Sequence, residues 1–157
     1  MGHKHLEESL HNLFNNDDNT GFNTFDFVYK YGSPVSALLH SAIFWPELME
    51  LDGMVFLASE IETDNEKLNV RKALMKNKGD RTKVEKIFNL IEVEYLFSNQ
   101  SENIPWDKIT ELAQRLARMW KARLHEGFPS REFVVNVIEE DSEEHDLAIV
   151  FWQKREP

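Results

Sequence analysis

An α+β fold is expected for this chain, a single domain over residues 1–157 with about four to five helices packed on a small, mainly antiparallel sheet that ends in a C-terminal β-hairpin. Two observations predict it. Apolar residues recur at helical spacing through the middle of the chain, whereas Phe133–Ile138 and Leu147–Trp152 are unbroken runs of strand formers separated by an acidic stretch. No repeat, linker or long low-complexity tract divides the 157 residues, a length that one hydrophobic core accommodates.

Residues 5–14 predict a short amphipathic helix with Leu6, Leu10, Leu13 and Phe14 on one side. The first four residues are expected to be disordered. Asn15 to Gly21 is a polar loop. It fails as a calcium loop, because the register that places Gly21 sixth puts Phe27 where the bidentate glutamate must stand.

Phe25, Phe27, Tyr29 and Tyr31 alternate with Asp26, Val28 and Lys30, which favours a strand over 24–31. A helical turn through Phe25, Val28 and Tyr29, closed by Gly32, is the competing reading. In that case residues 24–45 form a helical hairpin that superficially resembles a helix-turn-helix. Its second helix carries no Arg or Lys, so it offers a DNA backbone little.

Ser33-Pro34 is a helix start, since the hydroxyl can accept from a free first-turn amide and proline loses nothing there. Val35, Leu38, Leu39, Ala42 and Ile43 follow at helical spacing and predict a core-facing stripe ending at Pro46. Gly53–Leu57 suits a short buried strand after a corner at 47–52. Thr63 and Glu66 match a capping box for a polar helix running to about Lys76. Val84, Ile87, Phe88, Ile91 and Tyr95 predict a broadly apolar central helix. Trp106, Ile109, Leu112, Ala113, Leu116, Met119, Trp120 and Leu124 predict a long one, begun at Pro105 and closed by Gly127 and Pro129.

Cysteine is absent, which removes disulfides, thiolate catalysis and cysteine-ligated metal together. No leader-like apolar region opens the chain and no segment approaches the length of a membrane span, so a cytoplasmic protein is expected. The net charge of −10 is unevenly placed. From Lys67 to Arg123 there are 13 bases against 7 acids, a balance of +6, and the rest of the chain stands at −16.

Four constellations bear on chemistry. Glu8 and His11 share a helix face and mimic half of a di-metal carboxylate site, but no second Glu-x-x-His completes it. Met1-Gly2-His3 could chelate Cu(II) or Ni(II) through its amine, amides and imidazole, yet neither pattern is specific, so no metal or cofactor is expected. His40 beside Ser41, and His125 beside Glu126, supply hydrolytic residue types, although sequence neighbours do not face one another on a helix. His40 reads as a hydrogen-bonded residue at the core edge and His125 as a helix C-terminal cation.

Charge supplies the other two. Lys67, Arg71, Lys72, Lys76, Lys78, Arg81, Lys83 and Lys86, with Arg115, Arg118, Lys121 and Arg123, would make a positive face if their helices pack together. Glu139, Glu140, Asp141, Glu143, Glu144 and Asp146 form an acidic hairpin tip that is expected to meet a basic partner protein. The expected function is therefore a non-catalytic protein-binding domain, an inhibitor or immunity-type neutraliser being one concrete form, with nucleic acid and membrane not expected as partners. The alternative is a small metal-independent hydrolase or transferase using His, Asp and Glu.

Overall fold

The computed structural model describes residues 8, 10–12, 21–96, 105–139 and 147–155. The N-terminal tripeptide, residues 1–4, the loop at 15–20, the polar loop at 98–103 and the acidic tip from Glu140 to Asp146 lie outside them. The fold is α+β and consists of two compact units, Met1–Ser41 and Ala42–Pro157.

In the first unit, residues 8 and 10–12 are helical and are followed by α1 (Thr24–Tyr31). A helix therefore replaces the strand expected there. The reason is local: the Asn23 side chain accepts from the amides of Phe25 (2.8 Å) and Asp26 (3.3 Å), and the Asp26 carboxylate accepts from the Asn23 amide (2.9 Å). This reciprocal cap satisfies donors that a strand would have to place in a ladder. Helical spacing also stacks Phe27 on Tyr31, with ring centroids 6.2 Å apart, and Phe27 is the one buried residue of the helix. At Gly32, where the chain turns out of the helix, a Cβ would collide with the Val28 carbonyl.

The next helix, α2 (Pro34–Phe44), starts as its sequence predicts. The Ser33 hydroxyl accepts from the Ser36 amide (3.4 Å) and the Ser33 carbonyl from the Ala37 amide (2.9 Å). Most of its apolar stripe, expected to face a core, does not: no residue of α2 is buried, Val35, Leu38 and Leu39 are all exposed, and of the stripe Ile43 alone packs on buried residues.

The second unit begins within the C-terminal end of α2, where Ile43 and Phe44 pack on its core. The expected corner is instead a strand, β1 (Leu48–Leu51), paired with β2 (Met54–Leu57) around Asp52-Gly53. Both turn residues have positive φ (53° and 76°), the conformation that suits a two-residue hairpin loop. A 3-10 turn at Ala58–Glu60 leads to α3 (Asp64–Lys76) and α4 (Arg81–Phe88).

The capping box at α3 forms as expected. The Thr63 hydroxyl accepts from the Glu66 amide (3.2 Å) and the Glu66 carboxylate from the Thr63 amide (2.7 Å). Hydrogen bonding to the carboxylate, from the Thr63 backbone amide first and the Thr63 side chain second, holds the Glu66 carboxyl below its ordinary range. The stability that the ionised Glu66 carboxylate contributes is complete above the ordinary carboxylate range and is lost as pH falls through the lowered value.

The central helix expected from Val84 to Tyr95 is interrupted. It ends at Phe88, and Leu90–Glu92 forms β3 before a single turn, α5 (Val93–Leu96). Asn89, fully buried at the break, uses its side-chain amide to donate to the carbonyls of Val55 (2.8 Å) and Phe151 (3.3 Å). The long helix, α6 (Trp106–Gly127), buries Ile109, Ala113, Leu116, Trp120 and Leu124 along one side. The expected C-terminal hairpin is β4 (Phe133–Glu139) paired with β5 (Leu147–Gln153), in the register Phe133↔Gln153 to Glu139↔Leu147.

Two antiparallel sheets, β1-β2 and β3-β5-β4, thus replace the single sheet expected from the sequence. They are joined by side chains. Because β3 is three residues long and pairs only as far as Val150, the edge of β5 is open beyond that point. Asn89 bonds Phe151 there, and the buried Glu85 carboxylate accepts from the amides of Gln153 (3.0 Å) and Val55 (2.9 Å). Helix α4 thereby completes the hydrogen bonding of β2 and β5 from one side.

Side-chain alternation then sorts the core. Met54 and Phe56 of β2 pack with Ile61, Val70 and Val84, on the side of α3 and α4. Val55 and Leu57 pack with Leu147, Ile149 and Phe151 of β5 and with the buried face of α6. The β layer is therefore covered by α3–α4 on one face and by α6 on the other. Amide exchange should be slowest in β5, which is central to its sheet and buried from Leu147 to Phe151. Exchange in β5 as fast as in the exposed helix α2 would contradict this topology.

Candidate functional site

The segment from Phe25 to Leu39 is where chemistry and packing disagree most. In α1, Phe25, Val28 and Tyr29 stand at i, i+3 and i+4, on the side away from buried Phe27. In α2, Val35, Leu38 and Leu39 repeat the same spacing. A helix whose apolar residues follow a helical period normally buries that stripe. Here Tyr29 is 93% exposed and Leu38 71%. The six side chains together present an area on the order of 800 Å², similar to one partner's share of a standard protein interface.

The segment is also electrically quiet. Between Phe27 and Pro46 there is no acidic residue, although the chain has 28 of them, and Lys30 is the one formal charge. Lys30 lies over the rings of Phe22 and Tyr31, 5.4 Å from each centroid, and Asp26 is engaged in its helix cap. Surfaces that must stay hydrated are rich in charge, whereas the centres of protein interfaces are depleted of it. The sequence reveals this helix and its stripe. It does not reveal the exposure, because periodicity reports that a face is apolar and not whether the rest of the chain covers it.

The residues singled out from sequence are scattered. Of the acidic tip, Glu139 is described, exposed at the end of β4; the other five carboxylates lie outside the described residues. The basic residues do not form one face. Arg71, Lys72, Lys76 and Arg81 belong to α3–α4 and Arg115 and Arg118 to α6, on opposite sides of the β layer. Several are already engaged: Arg71 pairs with Asp52 (3.0 Å), Arg81 donates to the Asp52 carbonyl (3.0 Å) and Arg115 pairs with Glu111 (2.6 Å).

His40 is exposed on α2 and not at a core edge. His11 is within hydrogen-bonding distance of the Phe22 carbonyl (2.9 Å) and meets the Phe27 ring edge-on at 5.0 Å, which is a packing role. Among the described residues no three His, Asp or Glu side chains are placed to share a metal ion, and no helix is long and apolar enough to cross a membrane.

His125, in the last turn of α6, lines a cleft with Lys121, Arg131, Glu132 and Phe133. A general base is normally oriented by a second polar group within hydrogen-bond reach. The nearby carboxylate is unsuited to that task, since Glu132 is exposed and paired with Lys154 (3.1 Å). The arrangement does not reproduce an acid–base pair. Comparison of the chain with family models, curated proteins and solved structures found no match.

Proposed function

We propose that this protein is a non-catalytic binding domain that docks a partner protein on the apolar residues of α1 and α2. One observation carries the reading: α2 has no charged residue, and yet its apolar stripe at Val35, Leu38 and Leu39 is exposed. Leaving such a stripe in water forgoes about 25 cal/mol for each Å² that a partner would cover. Neutralising the activity of a partner, in the manner of an immunity protein, is one form this binding can take. The acidic sequence 139–146 supports a basic partner, since complementary charge accelerates encounter over roughly a Debye length, about 8 Å at physiological salt.

The test is the double substitution Leu38→Glu with Leu39→Glu, applied to a partner captured by the wild-type chain from cells of its source. Both side chains are exposed in the free protein, so unfolding free energy should change by less than about 0.5 kcal/mol. Affinity for the partner should fall by roughly 30-fold or more, as removal of interface anchors does. Unchanged affinity would remove α2 from the binding surface. Exchanging the six tip carboxylates for Asn or Gln should separately slow association at low salt and have little effect at high salt.

A further inference from the structure

We propose that the cleft between the C-terminal turns of α6 and the start of β4 binds a small phosphate-bearing anion. The cleft has a volume of ≈ 290 Å³, room for a phosphate group and a modest organic substituent. Lys121 and His125 stand four residues apart on α6 and so project from one face into it, and Arg131 closes it from the β4 side.

The donors are unspent. Among the described residues, neither the Lys121 ammonium nor the His125 ring has a hydrogen-bond or ion-pair partner. Arg131 is held firmly by one arm: Nη2 donates to Glu50 (2.8 Å) and the guanidinium lies over the Phe128 ring, 5.1 Å from its centroid. Its other arm, Nη1, is buried and bonds to nothing. A buried, charged N–H without an acceptor is costly to leave unmade; because Nη1 is closed to solvent, an anion in the cleft satisfies it by drawing the guanidinium toward the cleft.

Three donors of different geometry suit the three terminal oxygens of a phosphate monoester better than the two of a carboxylate. Two features oppose anion binding. The carbonyl end of α6 is negative, but the Phe128 amide already occupies the Leu124 carbonyl (2.9 Å), and Glu132 is drawn to Lys154. Against these stand the ammonium and guanidinium, with the imidazole as third donor. Phe133, partly buried and lining the cleft, offers an apolar wall for the substituent.

Inorganic phosphate, sulfate and acetate, titrated at constant ionic strength into the full chain, provide the test. Backbone amide shifts between residues 121 and 133 should saturate with phosphate in the millimolar range, and acetate should bind more weakly. Lys121→Gln and His125→Gln should each weaken phosphate binding about tenfold, the loss of one charge-assisted hydrogen bond. Both side chains are exposed, so amide shifts elsewhere should report an unchanged fold, which the Arg131→Ala variant cannot guarantee. Shifts that do not saturate, or that survive both substitutions, would show an adventitious ion only and overturn the proposal. Acetate binding more tightly than phosphate would overturn the phosphate assignment.

Discussion

Replacing Glu85 by alanine is expected to destabilise the second unit by about 3–5 kcal/mol, the range seen when one partner of a buried ion pair is removed. Glu85 is completely buried. Its two oxygens accept from Arg155 Nη1 (2.6 Å) and Nη2 (2.9 Å) as well as from the Val55 and Gln153 amides. Truncation leaves two strand amides without acceptors and a guanidinium without its counter-charge. It also opens the junction between β2 and β5, because the side chains of Glu85 and Asn89 supply the bonds that a strand ladder would otherwise make.

Arg155 is less buried than Glu85, with 23% of its side chain exposed, and can recover hydration when the pair is broken. Arg155→Ala should therefore cost less than Glu85→Ala, and the double variant should show coupling between them. Equilibrium unfolding in denaturant reads all three. A loss below about 1 kcal/mol for Glu85→Ala would mean that water replaces the carboxylate and that the two sheets are not held together by it.

Trp120→Ala should cost about 3–5 kcal/mol, as large aromatic truncations in a core do. Trp120 is 3% exposed, meets Phe151 of β5 edge-on at 6.1 Å, and donates from Nε1 to the Ile43 carbonyl (2.8 Å). Two contributions can be separated. Trp120→Phe retains most of the apolar contact but loses the hydrogen bond, for which about 1 kcal/mol is expected beyond the cost of the smaller ring. If alanine and phenylalanine are equally mild in denaturant unfolding, the face assigned to α6 is wrong.

The Trp120–Ile43 bond also explains a division within α2. Its last residues lie at carbonyls and side chains that the second unit holds, while its earlier turns are exposed. The apolar spacing continues through both parts without a break. Sequence periodicity is blind to that division, and the proposed docking surface is the part it mislabels as core.

Much of the architecture was legible because it depends on neighbours in the chain. The long helix α6 has five buried residues at helical spacing between Pro105 and Gly127. The C-terminal hairpin is two runs of strand formers whose partners follow in sequence. The Thr63 capping box needs only residues three apart. Asp52-Gly53 was equally local and could have been read as a hairpin turn between Leu48–Leu51 and Met54–Leu57, since this dipeptide admits positive φ at both positions.

The remaining features depend on residues far apart in the chain. Composition and spacing determined by themselves an α+β fold without cysteine, the helical character of 34–44 and 106–127, and the strand pair at 133–153. Tertiary structure alone decided that the helix beginning at Val84 breaks at Asn89, whose side chain bonds carbonyls at 55 and 151. It likewise placed the basic residues of 67–86 and 115–123 on opposite faces of one β layer and gathered Lys121, His125 and Arg131 around one cleft. The physical reason is range: caps, turns and periodicity act over a few residues of chain, whereas exposure, buried pairing and convergence of charge are set by which distant surfaces meet.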